Sequence, residues 1–223
     1  MNLKNTENFL VLGLFLAVLG LISAVLLAVF SGMVKEPIAK AELRNTNNAL
    51  LQILPAFDNQ PSENQMTLKA DDMVITFMGA VKDGKLVAVA ARGEKKGYAG
   101  AVQALIGFDL DGKIRSVLIT GQNETPGLGA NVCQRRFQKT IFNLFEKRPE
   151  GLAPNVFLDQ FNGKSAVKGE VWKVKKDGGD IDYVTGATVT SRAITELATQ
   201  IAGCFVGNRT EIIAKLSPAG DKK

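Results

Sequence analysis

The sequence of 223 residues contains no histidine and only two cysteines, Cys133 and Cys204. Structural zinc sites take Cys and His ligands, and iron–sulfur clusters are held by sets of cysteines, so two distant thiols supply neither centre. We therefore predict no metal site. Outside the cytoplasm the two thiols could form a disulfide, but two separate buried thiols are the interpretation that we favour.

The chain also lacks a basic run. Its 27 Lys and Arg residues stand against 22 Asp and Glu residues, giving a net charge of +5, and the two signs are interspersed. Proteins that bind nucleic acid cluster their basic residues, so we expect no nucleic-acid partner. A dinucleotide-binding fingerprint is incomplete too, because one that starts at Gly127 would need its third glycine where Val132 stands.

One long apolar run lies near the N-terminus. It extends from Phe9 to Phe30 and is interrupted only by small residues and Ser23, which matches the roughly 20 residues that cross a bilayer. A secretory signal has a shorter apolar region followed by a cleavage site of small residues, and residues 31–36 offer no clear site. We predict an uncleaved anchor over residues 1–34, with a cleaved signal as the alternative. Flanking charges do not decide its orientation, because large domains cross the membrane largely regardless of them.

The next residues change from a helical to a strand pattern. Apolar residues between Ile38 and Leu54 fit a helix that ends before Pro55, and a polar connector covers residues 58–65. Asp-Gly pairs at 83–84 and 111–112 are hairpin signals. The alternation around them predicts an antiparallel meander with strands at Met73–Met78, Leu86–Ala91, Val102–Phe108 and Ile114–Ile119.

A glycine-rich loop over residues 121–130 ends the meander. After it we predict a helix that ends at Arg148-Pro149 and has an apolar face of Val132, Phe137, Ile141, Leu144 and Phe145. A strand over 166–174, a last helix to about Phe205 and a final turn with Ile212, Ile213 and Leu216 follow. The predicted fold class is α+β, with a single transmembrane anchor (1–34), a helical linker segment (35–70), an antiparallel sheet flanked by helices (71–216) and a disordered tail (217–223).

The stretch from Asp182 to Arg192 concentrates small and hydroxyl side chains just before a helical pattern, which comprises Ala193, Ile194, Leu197, Ala198, Ile201 and Phe205. We predict a helix N-terminus here with Thr190 as its N-cap. Unpaired N–H groups and the helix dipole suit a phosphate, and Gly186 with Ala187 would let it approach the backbone. The alternative is a glycine turn followed by an ordinary capped helix.

This stretch resembles a known modification motif. Asp182-x-x-Thr185-Gly186-Ala187-Thr188 is similar to the flavinylation motif of FMN-binding domains, in which the last hydroxyl forms an ester with the phosphate of FMN. The resemblance implies that Thr188 carries covalent FMN. It also implies that Asp182, Thr185, Gly186 and Ala187 form the frame that a flavin transferase reads.

Two more segments match in the same order, Gly97-Tyr98-Ala99-Gly100 and Glu124-Thr125-Pro126-Gly127-Leu128-Gly129. With the anchor, they make nearly the whole chain resemble the G subunit of the Rnf electron-transport complex, which is related to the C subunit of the sodium-pumping NADH:quinone oxidoreductase. The short chain favours the Rnf protein. One position differs, since Gln122 stands where family members often have histidine.

The resemblance implies a set of FMN-binding residues beside Thr188. They are Thr185, Gly186, Ala187, Thr190 and Ser191 around the attachment point, and Glu124, Thr125, Leu128, Gly129 and Tyr98 around the flavin. For Leu128 the alternative is ordinary core packing, and for Tyr98 a half-buried position in the sheet. Arg192 is a candidate partner for the phosphate charge, with a solvated surface arginine as the alternative.

The resemblance also implies a role. The chain would be an electron-relay subunit with covalent FMN, on the extracytoplasmic side of the cytoplasmic (inner) membrane. It would work among the other subunits of a Rnf-type complex, which moves electrons between ferredoxin and NAD and includes a second flavin-bearing membrane subunit and iron–sulfur subunits. Two alternatives are a membrane-tethered, non-redox binding or regulatory module and a stand-alone extracytoplasmic flavin reductase.

Overall fold

The computed structural model of the chain describes residues 4–70, 73–137, 151–165 and 171–218. It divides into two compact units, Met1–Asn45 and Thr46–Lys223. Most of the predicted helix before Pro149 and residues 166–170 of the predicted strand lie outside the described residues, as does most of the predicted tail.

The first unit is helical. Helix α1 extends from Lys4 to Ile53, with Pro37 inside it. From Phe9 onward the helix is long and apolar enough to cross a membrane, with a mean hydropathy of 2.9 over its most apolar stretch, none of which is buried. The predicted helix from Ile38 is confirmed as far as Ile53, and the chain leaves the helix just before Pro55.

The second unit contains a five-stranded antiparallel sheet in the order β1-β2-β3-β4-β5. Its strands are β1 Gln65–Ala70, β2 Met73–Lys82, β3 Lys85–Lys96, β4 Ala101–Phe108 and β5 Ile114–Gly121. The predicted meander is therefore confirmed. At the first hairpin both Asp83 (φ 49°) and Gly84 (φ 74°) have positive φ, as a type I′ turn requires.

Strand β1 is not predicted by the sequence pattern, which assigns Gln65 to a polar connector. The strand pairs with β2, for example Leu68 with Ile75. It lies at the edge of the sheet, and its inward side chains Met66, Leu68 and Ala70 are only half-buried. The strand alternates between polar and apolar residues, but it is short and buries little surface, so it gives a weak signal in the sequence.

Both faces of the sheet are covered. On one face Ile75, Ile106 and Phe108 pack with Leu197 and Phe205 of the C-terminal helices, and the rings of Phe108 and Phe205 stack at 4.9 Å. These helices are α3 Thr188–Gly207 and α4 Arg209–Leu216, which follow the short helix α2 Gly129–Cys133. The α+β class with helices flanking the sheet is confirmed.

The other face holds the last turns of α1. Leu50 and Ile53 pack there against a group of small or flexible side chains, Met78, Ala80, Ala88, Ala90 and Leu105. Gly107 lets the helix approach closely, because a Cβ at this position would lie 2.8 Å from the Ile53 carbonyl oxygen. The small residues of the strands thus set the spacing between sheet and helix.

Two sequence predictions near the site are wrong for the parts that lie within the described residues, 134–137 of the predicted helix and 171–174 of the predicted strand. The helix after the glycine-rich loop ends at Cys133, and Gln134 is extended with ψ 131°. Residues 171–174 form no strand, and Val174 makes only an isolated parallel bridge with Ile181. In both segments the apolar pattern reflects burial against the core, because Val132, Trp172 and Val174 are all buried without belonging to a long regular element.

Candidate functional site

Helix α3 begins at Thr188, earlier than the sequence predicts. Gly186 has φ 83°, the Ala187 N–H donates to the Val184 carbonyl at 2.9 Å, and the Ser191 N–H donates to the Ala187 carbonyl at 2.9 Å. Ala187 is the N-cap and no side chain caps it, so the prediction of Thr190 as N-cap is wrong. Positive φ at Gly186 turns the chain sharply into the helix.

The first turn of α3 therefore presents free donors. The N–H groups of Thr188, Val189 and Thr190 precede the first helical hydrogen bond, and nothing in the described parts of the chain accepts from them. The Thr188 side chain is half-buried at this turn, and Thr185 and Gly186 before it are exposed. Such a helix end attracts a phosphate through its N–H groups and its dipole.

The hydroxyls of Thr190 and Ser191 are directed inward. Thr190 is 1% exposed and Ser191 is fully buried. The Ser191 hydroxyl oxygen accepts from the Val184 N–H at 3.3 Å, which holds the preceding turn. The Thr190 hydroxyl donates to Glu124 Oε2 at 2.7 Å. Neither hydroxyl is on the surface beside Thr188.

Glu124 is buried, with 5% exposure, and its carboxylate joins three segments. Its Oε1 accepts from the N–H groups of Tyr98 at 2.9 Å and Ala99 at 3.2 Å, while Oε2 accepts from Thr190. The Glu124 N–H in turn donates to Oε1 of Gln122 at 2.6 Å. The three segments that carry the resemblance thus meet at one carboxylate, which we call the Glu124 network.

Two glycines make room for this carboxylate. A Cβ at Gly129 would lie 2.5 Å from Glu124 Oε2 and 2.7 Å from the Thr190 hydroxyl oxygen, and a Cβ at Gly97 would collide with Glu124 Oε1. Both distances are below any that real Cβ atoms adopt. The glycines at 97 and 129 are therefore needed for packing around Glu124.

Exposed apolar side chains surround the start of α3. Leu128 is 47% exposed, and its Cδ2 lies 3.2 Å from the place that a Cβ on Gly186 would take. Val189 of the first helical turn is 44% exposed, and Tyr98, on the turn held by Glu124, is 70% exposed. Thr125 is exposed on the same loop as Leu128, and its carbonyl accepts from the N–H groups of Leu128 and Ala130. Leu128 is thus not a core residue, and Tyr98 is not half-buried in the sheet.

Gln160, which the sequence does not single out, holds the start of the motif. Its side-chain amide pairs with the backbone of Asp182, accepting from the N–H at 2.7 Å and donating to the carbonyl at 3.2 Å. The Asp182 carboxylate is exposed and forms an ion pair with Lys175 at 2.6 Å. Gln160 belongs to a short 3₁₀ helix, Leu158–Phe161, and nothing in its local sequence indicates this contact.

Arg192, four residues after the first residue of α3, forms an ion pair with Asp177. Its Nε and Nη2 donate to the two carboxylate oxygens of Asp177 at 2.6 and 2.7 Å. The hydrogen bond from Arg192 holds the pKa of Asp177 below its ordinary value. Lys164 similarly pairs with Asp180 at 2.6 Å, and this hydrogen bond lowers the pKa of Asp180. In the structure the guanidinium predicted as a phosphate partner is thus engaged by Asp177.

Both cysteines are free thiols, so the interpretation as two separate thiols is confirmed, although Cys204 is only partly buried. Cys133 lies close to the Glu124 network. Burial, and secondly the charge of Glu124, raise the pKa of the Cys133 thiol to about 12. The thiol is therefore protonated at neutral pH and unreactive.

Comparison with known proteins identifies the domain that contains these residues. Residues 97–202, which include the Tyr98 turn, Glu124 and most of α3, match the family model of the FMN-binding domain. The fold and the site thus define an FMN-binding domain. Similar proteins along nearly the full length are named as the G subunit of an ion-translocating oxidoreductase complex. The chain is 31% identical to the one from Cereibacter sphaeroides, over 94% of this chain and 90% of that protein.

Other relatives with the same name are from Pseudomonas aeruginosa, 29% identical over 96% of this chain and 94% of that protein, and Escherichia coli O157:H7, 28% identical over 94% and 96%. The chain belongs to the family of G subunits of ion-translocating oxidoreductase complexes. The resemblance drawn from its motifs is thereby confirmed.

Proposed function

We propose that this protein is a membrane-anchored electron-transfer subunit whose FMN is attached covalently to Thr188. It relays electrons within an ion-translocating ferredoxin:NAD⁺ oxidoreductase complex of the Rnf type. Its partners are the other subunits, including a second flavin-bearing membrane subunit and iron–sulfur subunits, and a flavin transferase that matures it. The shared name of the relatives, which makes them G subunits of an ion-translocating oxidoreductase complex, supports a place in such an assembly.

The observation that carries the proposal is the position of Thr188. It is the first residue of α3, it is partly exposed, and it stands beside three N–H groups with no acceptor among the described residues. A phosphodiester at its hydroxyl would keep one negative charge. The N–H groups and the positive end of the helix dipole would stabilise that charge without a side-chain cation.

The surroundings fit the rest of the nucleotide as well. Gly186 leaves the backbone accessible beside the attachment point, and Leu128, Val189 and Tyr98 offer exposed apolar surface to a flat aromatic ring. FMN supplies one- or two-electron redox chemistry when it is bound, while the protein supplies attachment, orientation and electrostatics. The apolar side chains would shield one side of the ring from water, and the loop carbonyls and N–H groups would meet its polar edge.

The attachment needs an activated FMN donor, which we take to be a phosphoric anhydride such as FAD. The bond from the Thr188 oxygen to the FMN phosphorus would form as the anhydride bond of FAD breaks, with AMP as the leaving group and release of the hydroxyl proton. The transferase would read Asp182, Thr185, Gly186 and Ala187. Asp182 and Thr185 are exposed, and Gln160 holds the backbone of Asp182 in place for that recognition.

Covalent attachment suits a cofactor outside the cytoplasm, where a dissociable flavin would be lost by dilution. We therefore place the second unit on the extracytoplasmic side, with α1 as a single-pass anchor in the cytoplasmic membrane. A cysteine introduced at Ser217 should react with a membrane-impermeant thiol reagent on whole cells. If it reacts only after lysis, the orientation is the opposite one.

Intact mass and colour test the attachment. The full chain, co-expressed with a flavin transferase and purified in detergent, should be yellow and heavier than its sequence by one FMN less one water. Thr188→Ala should lose this adduct completely, Thr188→Ser should keep it, and Thr185→Ala should carry less of it at an unchanged site. Tandem mass spectra that place FMN on another residue would overturn the assignment.

A colourless wild-type protein from the same expression would instead favour a tethered binding module. Steady turnover of the isolated, flavin-loaded chain with a soluble donor and a soluble acceptor would favour a stand-alone reductase. The relay predicts that the isolated chain can be reduced and reoxidised but has no substrate reaction of its own.

A further inference from the structure

Glu124 carries a charge at the centre of the site without facing the surface. Its carboxylate is 5% exposed, although Thr188 and the three apolar side chains around it are at or near the surface. Its oxygens are engaged by three donors, the N–H groups of Tyr98 and Ala99 and the hydroxyl of Thr190. Glu124 therefore acts from behind the flavin-binding surface.

The network links the two elements that would flank a bound flavin. One is the turn at residues 97–100, which presents Tyr98 to solvent. The other is the first turn of α3, in which Thr190 lies two residues after Thr188. Glu124 bonds to both, and Gly97 and Gly129 leave no free space beside it. A shift of this carboxylate would move Tyr98 relative to Thr188.

The three donors provide hydrogen bonds to both oxygens of this buried carboxylate. Burial of a charge without such partners is costly, and the number of donors indicates a site that accommodates the anion. The charge affects its surroundings, since Glu124 contributes to the raised pKa of Cys133, after burial. An electron added nearby is disfavoured by the same negative potential, because the dielectric screening in a protein is weaker than in water.

We propose that Glu124 is a positioning residue for the flavin site, which holds the Tyr98 turn against the first turn of α3 and lowers the reduction potential of the bound flavin through its buried negative charge. This inference rests on the proposed attachment of FMN to Thr188.

The test is the midpoint potential of the flavin in the full chain, measured by spectroelectrochemistry after loading. Glu124→Gln keeps the size and the hydrogen bonds, because the Gln oxygen can accept from Tyr98 and Ala99 and the Thr190 hydroxyl can accept from its amide. We expect the adduct to form and its midpoint potential to shift in the positive direction. Glu211→Gln is the matched control, since it removes one exposed carboxylate in α4 and should leave the potential unchanged.

A second variant keeps the test decisive if Glu124→Gln does not fold. Thr190→Val removes one of the three donors and leaves the Glu124 carboxylate with two, the N–H groups of Tyr98 and Ala99. Its charge is then less compensated, so the potential should shift in the negative direction. A folded, loaded Glu124→Gln with the wild-type potential, or a Thr190→Val with an unchanged or more positive one, would overturn the proposal.

The outcomes that test the role of Glu124 differ from the outcomes that test the attachment of FMN to Thr188. Absence of the FMN mass on the wild-type chain would refute the proposed function. An adduct on the wild type and both variants, all at one potential, would refute only the role of Glu124.

Discussion

Two regions of the molecule hold the start of α3 at Thr188, and they do so by different contacts. On one side the Glu124 network is buried and uses hydrogen bonds to a single carboxylate. On the other side residues 173–182 are held by backbone hydrogen bonds and by the buried side chains of Val174 and Ile181. Their charged side chains add ion pairs near the surface, Lys164–Asp180, Lys175–Asp182 and Arg192–Asp177. Exposed pairs contribute little and are screened by salt, whereas a buried carboxylate cannot lose its partners without a large cost.

This difference indicates that the Glu124 network, and not the Asp182 segment, fixes the geometry of the proposed flavin site. The segments with Tyr98 and Leu128 should keep their position over a wide range of salt concentration, because the Glu124 carboxylate that holds them is buried. The Asp182 side chain, which we propose is read by the transferase, is exposed, and water and ions can screen its ion pair with Lys175. A rigid cofactor side and an adaptable recognition side would allow one helix start to serve both purposes.

The largest expected effect comes from removal of the carboxylate. Glu124→Ala leaves the N–H groups of Tyr98 and Ala99 and the Thr190 hydroxyl without an acceptor in a buried site. We expect a loss of about 3 kcal/mol in the free energy of unfolding, which lowers the Tm of a unit of this size by roughly 10 °C. Differential scanning calorimetry of the full chain in detergent would measure it. A Tm within a degree or so of wild type would show that the network is not structurally important.

The next effect tests the packing around the same carboxylate. Gly129→Ala places a Cβ 2.5 Å from Glu124 Oε2, so the carboxylate or the loop must shift, at a cost of about 2 kcal/mol. Gly203→Ala in α3 is the matched control, because a Cβ there meets nothing within 4 Å, and it should be neutral or slightly stabilising. The Tm of Gly129→Ala should lie below that of wild type, and the Tm of Gly203→Ala should equal that of wild type or lie slightly above it. Equal curves would contradict the close packing at Gly129.

The sequence predicts the local part of this architecture well. The hairpin at Asp83-Gly84 follows from two residues that tolerate positive φ, and the C-terminal helix follows from its apolar period. The Glu124 network depends on contacts that span 25, 26 and 66 residues, which no local pattern encodes. Thr190 illustrates the limit, since it looks like an N-cap in sequence, but a distant carboxylate accepts from its hydroxyl and the helix begins two residues earlier.

Arg192 and strand β1 show two further reasons why the sequence does not predict the whole structure. A free cation near an expected phosphate is a reasonable partner in sequence, but Asp177, 15 residues away, engages it in a bidentate pair. The ion pair between Arg192 and Asp177 depends on the turn at Gly178 and Gly179, which places Asp177. A Cβ on Gly179 would collide there with the Lys173 carbonyl oxygen. Strand β1 has the correct alternation, but as an edge strand it buries too little to be recognised.

The smallest effect concerns the exposed pairs. The pKa values of Asp177 and Asp180 are lowered by hydrogen bonds from Arg192 and Lys164, so the folded state favours both ionised carboxylates. Their stabilisation is present above the ordinary aspartate pKa of 3.8 and is lost as the pH falls toward the lowered folded-state values. The small gap in Tm between wild type and the double variant Asp177→Asn, Asp180→Asn should therefore be constant above about pH 5 and close as the pH falls from there through the lowered folded-state pKa values. It should also shrink at about 1 M salt, where exposed charges are screened, while the effect of Glu124→Ala should not. A gap that persists through both changes would mean that these pairs are shielded from solvent, and that the two sides of Thr188 are held alike.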